Sequence, residues 1–383
     1  MEKWKVANLK PGMKFSKPVY FDGDNLFAPE NVPLKEKDLN RLSKWGVEEV
    51  ESDGTLLSDE VPVDDQAASN FFEQPFRSPE QQEIVAQYSG LVSRLKELHE
   101  QIRSGSGVSS EISDSIVDGL LSLVDKRRND ILQFVLYGLH GEAGLVENAL
   151  NSVVLSSLVG KNLNMPKHKL LHLSTSALLH DVGMLRLSNE ISEKKGALTK
   201  DELKVVRTHP IHSYKIITRE LKYPEEVGLA ALQHQERWDG NGYPRGLSGG
   251  SIIVPARVIA VVDSFEAMVS RRPYRSSMIG YTAMRHILSD NSRRFDPEIL
   301  KVFIRTMGIY PIGSIVLLNN SCIARVIENN SEAPLKPKIK VMINEKGLEY
   351  TEDDGEVIDL FSNREFFIAR AVDPKERAQK AEA

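Results

Sequence analysis

The sequence predicts a mainly α-helical protein: a helical bundle domain, preceded by a small N-terminal α/β module and followed by a small C-terminal β domain. Three observations carry this expectation. From Glu111 to Met307 one helical stretch follows another, with no alternating strand pattern between them. After Gly308 the pattern switches to short β-rich runs separated by Asn, Gly and Pro turns. A chain of 383 residues is also too long for one ordinary core, so two or three domains are expected.

Taken in order, residues 1–53 read as the α/β module. Lys5 to Met13 is a short strand ended by the Pro11-Gly12 turn, and Pro18-Val-Tyr20 restarts an extended run. Leu34 to Trp45 is helical in composition with Gly46 at the C-cap, and Val47 to Val50 closes with a strand. Catalytic residue types do not occur there in a useful spacing, so the module reads as a docking or sensing unit. Residues 54–78 are acidic and rich in Ser and Gln, with Pro62 and Pro75, and read as a linker.

Residues 79–140 read as a helical linker or dimerisation region. Pro79 opens its helix at the first position, where a proline costs nothing. Ile84, Tyr88, Leu91, Leu95, Leu98 and Ile102 then alternate four and three apart, a heptad seam. A run this short fits either a helix packed on its own core or a homodimer seam through 79–103. Ser104-Gly-Ser-Gly107 ends it. Helices are expected at about 111–139, 142–163, 167–181, 200–220, 224–236, 254–270, 277–290 and 297–307, the last capped by Asp296 with Pro297 at its first position. The bundle domain is placed at 141–307 and the β domain at 308–373, with strands at 314–318, 322–328, 337–343 and near 356–360 and 366–370. Residues 374–383 form a charged, frayed tail.

Composition narrows the function classes. The net charge is −5, charges of both signs are interspersed, and no block of Lys or Arg marks a nucleic-acid surface. The single cysteine, Cys322, excludes an internal disulfide framework and fits a reducing compartment. No apolar run is long enough to span a bilayer, so the expected location is the cytoplasm, away from membrane.

The chemistry sits in His180-Asp181, His209, His234 and Asp263, at helix ends or on helix faces. Histidine and carboxylate together are a ligand set for first-row divalent metals. A carboxylate beside a histidine can bridge two cations, and two metals ~3.5–4 Å apart can clamp a phosphoryl centre. The Gly-rich turn after His234 can cradle an anion. Taken singly, a histidine is more often structural, and His99, His140, His168, His172, His212 and His286 are assigned to that class.

These residues carry a resemblance. Ala177-Leu-Leu-His-Asp-Val-Gly183, Lys195-Gly-Ala-Leu-Thr199 and Thr208-His-Pro210 resemble the HD superfamily of metal-dependent phosphohydrolases. His234-Gln-Glu-Arg-Trp-Asp-Gly-Asn-Gly-Tyr-Pro244, Ile259-Ala-Val-Val-Asp263 and Arg271-Arg-Pro-Tyr-Arg275 resemble its HD-GYP branch, with order and spacing intact from about Glu147 to Met307. Leu9-Lys-Pro-Gly-Met13, Lys44-Trp-Gly-Val-Glu-Glu-Val50 and Gly308-Ile-Tyr-Pro-Ile-Gly313 are similar to segments flanking that domain.

The resemblance implies a cyclic-di-GMP phosphodiesterase that yields the linear dinucleotide or GMP. It implies a cytoplasmic signalling hydrolase holding two or three divalent ions, iron or manganese, with magnesium as a further candidate. His180, Asp181, His209, His234 and Asp263 would be ligands, Asp181 bridging, with His180-Asp181 at the catalytic centre. Glu147 matches a glutamate that serves a third metal, one helical turn before the first ligand position. Arg272 and Arg275 match side chains that hold the substrate's phosphates, a task suited to guanidinium forks. Gly240, Gly242 and Tyr243 would shape the pocket and can meet a partner such as a diguanylate cyclase or a motility protein.

Three positions depart from the family pattern. Asn151 replaces the first ligand histidine, Gln235 replaces the second histidine of an adjacent pair, and Met184 replaces a lysine that reaches a substrate phosphate. Ser213 also stands where a glycine is common. Neutral carbonyl oxygens suit hard cations better than they suit zinc. Two readings follow: a site retuned for a harder metal such as Mn²⁺, or a catalytically impaired domain that serves as a cyclic-di-GMP receptor or a partner-binding module.

Overall fold

The computed structural model describes residues 2–6, 9, 13–21, 25–28, 34, 39, 42, 47, 49–54, 56–57, 78–105, 108–137, 144–192, 194, 196–270, 279–290, 293–350 and 354–372. The chain divides into two units, Met1–Ala68 and Ser69–Ala383.

In the first unit, β1 (Glu2–Lys5), β3 (Val19–Phe21), β4 (Asn25–Ala28) and β5 (Glu49–Ser52) form an antiparallel sheet in the order β1-β5-β3-β4. β2 (Lys14–Phe15) pairs with β6 (Leu56–Leu57). The expected end at Asp53 is therefore too early: backbone pairing carries the module past it. The rest of the expected linker and most of the expected helix 34–45 lie outside the described residues. Leu34 and Leu42 are nonetheless buried with Phe15, Val19 and Val50 in one small core.

The second unit is the helical bundle. It opens with α1 (Pro79–Ser104), whose start is a full capping box: Ser78 accepts from the Gln81 amide, and Gln81 reaches back to the Ser78 amide. Gly105 ends it in the left-handed conformation at φ 69°. All six seam residues are buried, and they share a single hydrophobic core with the rest of the bundle. The seam is thus spent within the chain, and 79–137 is part of the bundle rather than a separate linker or a free dimer face.

Next come α2 (Ser110–Lys126) and α3 (Arg128–Tyr137), where one helix over 111–139 was expected. The axis breaks at Arg127, whose guanidinium pairs with Asp130 at 2.9 Å. The break lets Leu120 and Val124 on one side and Ile131, Leu132 and Val135 on the other reach the same core. α4 (Leu145–Asn162) and α5 (Lys167–Leu179) form the centre, and α4 is buried along nearly its whole length.

The expected helix 200–220 is also divided, into α6 (Lys200–Val206) and α7 (His209–Lys215), which runs on as a π turn over Ile216–Glu220. Pro210 lacks an amide hydrogen, so a helix can restart there but cannot run through unbroken. α8 (Glu225–Gln233), α9 (Val254–Val269), α10 (Gly280–Ser289) and α11 (Pro297–Met307) complete the bundle.

The C-terminal strands β7 (Ile315–Leu318), β8 (Ile323–Glu328), β9 (Lys338–Ile343), β10 (Val357–Asp359) and β11 (Ile368–Ala371) fall where the turn signals placed them. They form an antiparallel sheet in the order β10-β9-β8-β7-β11. Its inner face carries Val316, Leu318, Ala324, Val326, Ile339 and Val341. The sheet is tied to the bundle by Tyr310 stacked on Tyr281 at 4.9 Å and by Tyr137 Oη hydrogen-bonded to Ser314 Oγ at 3.0 Å. Among the described residues, no helix is long and apolar enough to cross a membrane.

Because Leu95 is fully buried in this core, Leu95→Ala should lower stability by ~2–5 kcal/mol in urea denaturation. Sedimentation should show the same oligomeric state as the parent protein, whereas loss of a dimer would restore the seam as an intermolecular surface.

Candidate metal centre

Three histidines enter the centre of the bundle from helix ends. His180 caps the C-terminus of α5, His234 caps the C-terminus of α8, and His209 follows the end of α6 by three residues. Carbonyls in the last turn of a helix have no intrahelical partner. Each imidazole uses one: His180 Nδ1 lies 2.8 Å from Ala177 O, His209 Nδ1 2.7 Å from Val206 O, and His234 Nδ1 2.7 Å from Ala231 O. A carbonyl can only accept, so each Nδ1 carries the proton and each Nε2 is left as the inward-facing ligand atom. Such a backing partner fixes the tautomer and ring angle of metal-binding histidines.

The three Nε2 atoms converge on Asp181. Asp181 Oδ1 lies 3.0 Å from His209 Nε2 and 3.3 Å from His234 Nε2, and those two nitrogens are 3.4 Å apart. Asp181 Oδ2 lies 3.6 Å from His180 Nε2, which is itself 3.7 Å from Asp263 Oδ1. The cluster therefore has two lobes that share one carboxylate: His209 and His234 on one oxygen, His180 and Asp263 on the other. Gly183 makes the fold tight enough for this, because a side chain there would meet His209 O at 2.1 Å. Ser213, in place of the commoner glycine, accepts the Gly183 amide at 2.9 Å.

Asp181 Oδ1 and His180 Nε2 are buried and have no hydrogen-bond partner. Buried polar atoms are rarely left so. Histidine nitrogens and carboxylate oxygens together suit a divalent transition metal, so the residues fit the metal that the family resemblance implies. Without a cation, protons compensate the carboxylates. Burial works against the imidazolium of His180, but Asp181 and Asp263 outweigh it and push its pKa up to about 9. Burial likewise opposes the carboxylate of Asp181, but His180, His209 and His234 hold it well below the usual range. Burial opposes the His209 imidazolium too, and Asp181 raises it, whereas burial prevails at His234 and lowers it.

The loop after His234 walls one side. Buried Glu236 accepts the amides of Arg245 at 2.7 Å and Leu247 at 2.9 Å, closing the loop on itself. Gly242 lies so close to this turn that a side chain would meet the Glu236 backbone at 2.4 Å. Gly240 takes the left-handed conformation at φ 79°. The loop brings the Tyr243 ring to 6.2 Å from His209, and Arg207 lies over the Tyr243 ring at 5.4 Å. Burial raises the Tyr243 phenol, reinforced by Asp181 and Asp263 and opposed by Arg207 and Arg294.

Other expected site residues are placed differently. Glu147 caps α4, one of its carboxylate oxygens accepting the Gly144 amide at 3.2 Å. Asn151 is fully buried, with Oδ1 accepting from Tyr88 Oη at 2.7 Å and Nδ2 donating to Glu266 at 3.0 Å. Gln235 and Met184 are half-buried beside the ligand residues. Arg272 and Arg275 lie outside the described residues.

Sequence reasoning missed Tyr88, Asn148 and Glu266, which line the Asp263 side, and Arg207 beside Tyr243. A signal existed for the first group. Asn148 and Asn151 on α4, and Asp263 and Glu266 on α9, are polar pairs three apart, which places each pair on one face of its helix.

Residues 141–299 match the HD domain family, and residues 315–380 match the KOW domain associated with the HD domain. Residues 141–299 form an HD domain. The chain is 24% identical over 324 residues to the cyclic di-GMP phosphodiesterase PdeB of Borreliella burgdorferi, covering 84% of this chain and 83% of that protein. It is 28% identical over 317 residues to a cyclic di-GMP phosphodiesterase of Pseudomonas aeruginosa, covering 80% and 76%. Within the HD domain it is 37% identical over 152 residues to the 3'3'-cGAMP-specific phosphodiesterase 1 of Vibrio cholerae, covering 39% and 34%.

The proton on His180 sets a pH signature for this HD domain. Its pKa of about 9 exceeds the unfolded value of ~6.5, so the stability it contributes is complete below ~6.5 and is lost as pH rises towards 9. A divalent cation held at His180 would replace that proton. The rise in melting temperature caused by Mn²⁺ over a chelator should therefore be larger at pH 8.5 than at pH 6, and equal shifts at both would contradict the assignment.

Proposed function

We propose that this protein hydrolyses a phosphodiester bond of cyclic di-GMP, giving the linear dinucleotide or GMP, with divalent metal held by His180, Asp181, His209, His234 and Asp263. The observation that carries the reading is the two-lobed cluster in which Asp181 is shared, with two of its buried ligand atoms unpartnered. Two relatives that cover most of the chain bear the same activity in their names. The ligand set favours manganese or iron over zinc-type sulfur sites.

Divalent cations held there supply Lewis acidity toward phosphoryl oxygens and lower the pKa of water. The chain supplies the geometry. Asp181 sets the spacing of the two lobes, and the carbonyl-backed imidazoles keep their Nε2 atoms aimed inward without rearrangement. Tyr243 and Arg207 border the cluster, and among the described residues no carboxylate pairs with Arg207. That free guanidinium stands in for the charge absent at Met184 and holds a phosphate of the substrate. Arg272 and Arg275 are assigned the same duty.

One observation favours a second reading, dinucleotide binding without turnover. Asn151 is committed to Tyr88 and Glu266, so the lobe with His180 and Asp263 gains no ligand from that position. Chromatography of cyclic di-GMP incubated with Mn²⁺- or Fe²⁺-loaded protein separates the two readings. The linear dinucleotide or GMP should appear, and Asp181→Ala should abolish it. Binding without product under either metal would leave the receptor reading, and cleavage of mononucleotides alone would refute both. Arg207→Ala should weaken dinucleotide binding about tenfold, the worth of one charge-assisted hydrogen bond, while leaving Mn²⁺ affinity unchanged.

A further inference from the structure

Asp263 is the ligand with the most elaborate backing, and that backing is made of residues to which no role attaches. Glu266 lies one turn after Asp263 on α9 and is fully buried. Its carboxylate accepts from Asn148 Nδ2 at 2.6 Å, from Asn151 Nδ2 at 3.0 Å and from Ser270 Oγ. Both amide NH₂ groups face the Glu266 oxygens, which fixes the orientation of both asparagines. Asn151 then turns its carbonyl to Tyr88 on α1. Asn148 Nδ2 also reaches Asp263 Oδ1 at 3.4 Å, the oxygen that faces His180. The carbonyl end of Asn148 is buried without a partner, so what this side chain does in the fold is donate to the two carboxylates.

We propose that Glu266 and Asn148 are positioning residues for the Asp263 ligand, and that Asn151 belongs to this hydrogen-bonded wall instead of to the metal. Glu266 orients the Asn148 amide, and that amide holds Asp263 Oδ1 toward His180. Asn151 and Tyr88 close the far side, so that the Glu266 carboxylate stays bonded at each oxygen and does not swing toward the cations. The position where the family pattern has a ligand histidine has thereby become a structural node, and the lobe with His180 and Asp263 takes its cation from those two residues and Asp181 alone.

The proposal rests on the metal-centre half of the function given above and not on the substrate, so metal alone is the probe. Mn²⁺ binding to the full chain is followed by the electron paramagnetic resonance signal of the free ion, with circular dichroism to confirm that each variant is folded. Asn148→Ala and Glu266→Gln should each weaken one class of Mn²⁺ sites by about 10- to 100-fold, the range for removing a partner behind a metal ligand, and leave the class at His209 and His234 unchanged. Tyr88→Phe loses a hydrogen bond of the same wall but no contact to Asp263, and should stay within about twofold of the parent. Asn148→Ser is the milder substitute if Asn148→Ala does not fold, with the same direction expected. Folded variants whose Mn²⁺ isotherms all overlay the parent curve would overturn the positioning role. A parent protein that binds no Mn²⁺ at all would overturn the metal-centre reading and this role with it.

Discussion

Three backbone carbonyls set what this domain can do. Ala177, Val206 and Ala231 each stand in the last turn of a helix, where a carbonyl has no helical partner, and each holds the Nδ1 of the histidine three residues later. One local rule, applied three times, turns Nε2 of His180, His209 and His234 toward the same carboxylate. The helix ends are therefore functional features as well as terminations. Move the end of α5 or α8 by a single residue, and the ring rotates about 100° around the helix axis away from Asp181.

Around that constraint the bundle explains its own departures from regularity. The interruption between α6 and α7 at Pro210 delivers the His209 end that an unbroken helix could not. Gly183 lets the turn after Asp181 lie against α7. Glu236, buried behind the Gly-Tyr-Pro loop, accepts the Arg245 and Leu247 amides and so closes the loop that carries Tyr243. On the opposite side Glu266 and Asn148 do for Asp263 what the carbonyls do for the histidines. Asn151 is best understood in that company: its hydrogen bonds are already complete, to a tyrosine and to a carboxylate.

Much of this was legible from residue order. The helical class, the helix starting at Pro79 and the sheet strands after Gly308 follow from periodicity and punctuation, and the five side chains that the structure brings together are those the family resemblance singled out. What was not legible has a physical cause in each case. The heptad seam of α1 shows that a face is buried but not which surface buries it, and here α2, α3 and α4 do. The division at Arg127 leaves the apolar period unchanged, so only three-dimensional packing reveals it. Glu147 has the spacing of a ligand, but spacing does not show that a glutamate at the third position also caps the start of its own helix, as this one does. The partners of Asn151 come from 63 positions upstream and 115 downstream, a distance that spacing rules do not reach.

The central claim is that Asp181 is shared between two cation positions. Anomalous diffraction from crystals grown with Mn²⁺ tests it directly. Two peaks should flank Asp181, one bonded to His209 and His234 and the other to His180 and Asp263, with Asn151 and Glu147 bonded to neither. A lone peak away from Asp181, or a peak coordinated by Asn151 Oδ1, would contradict the account.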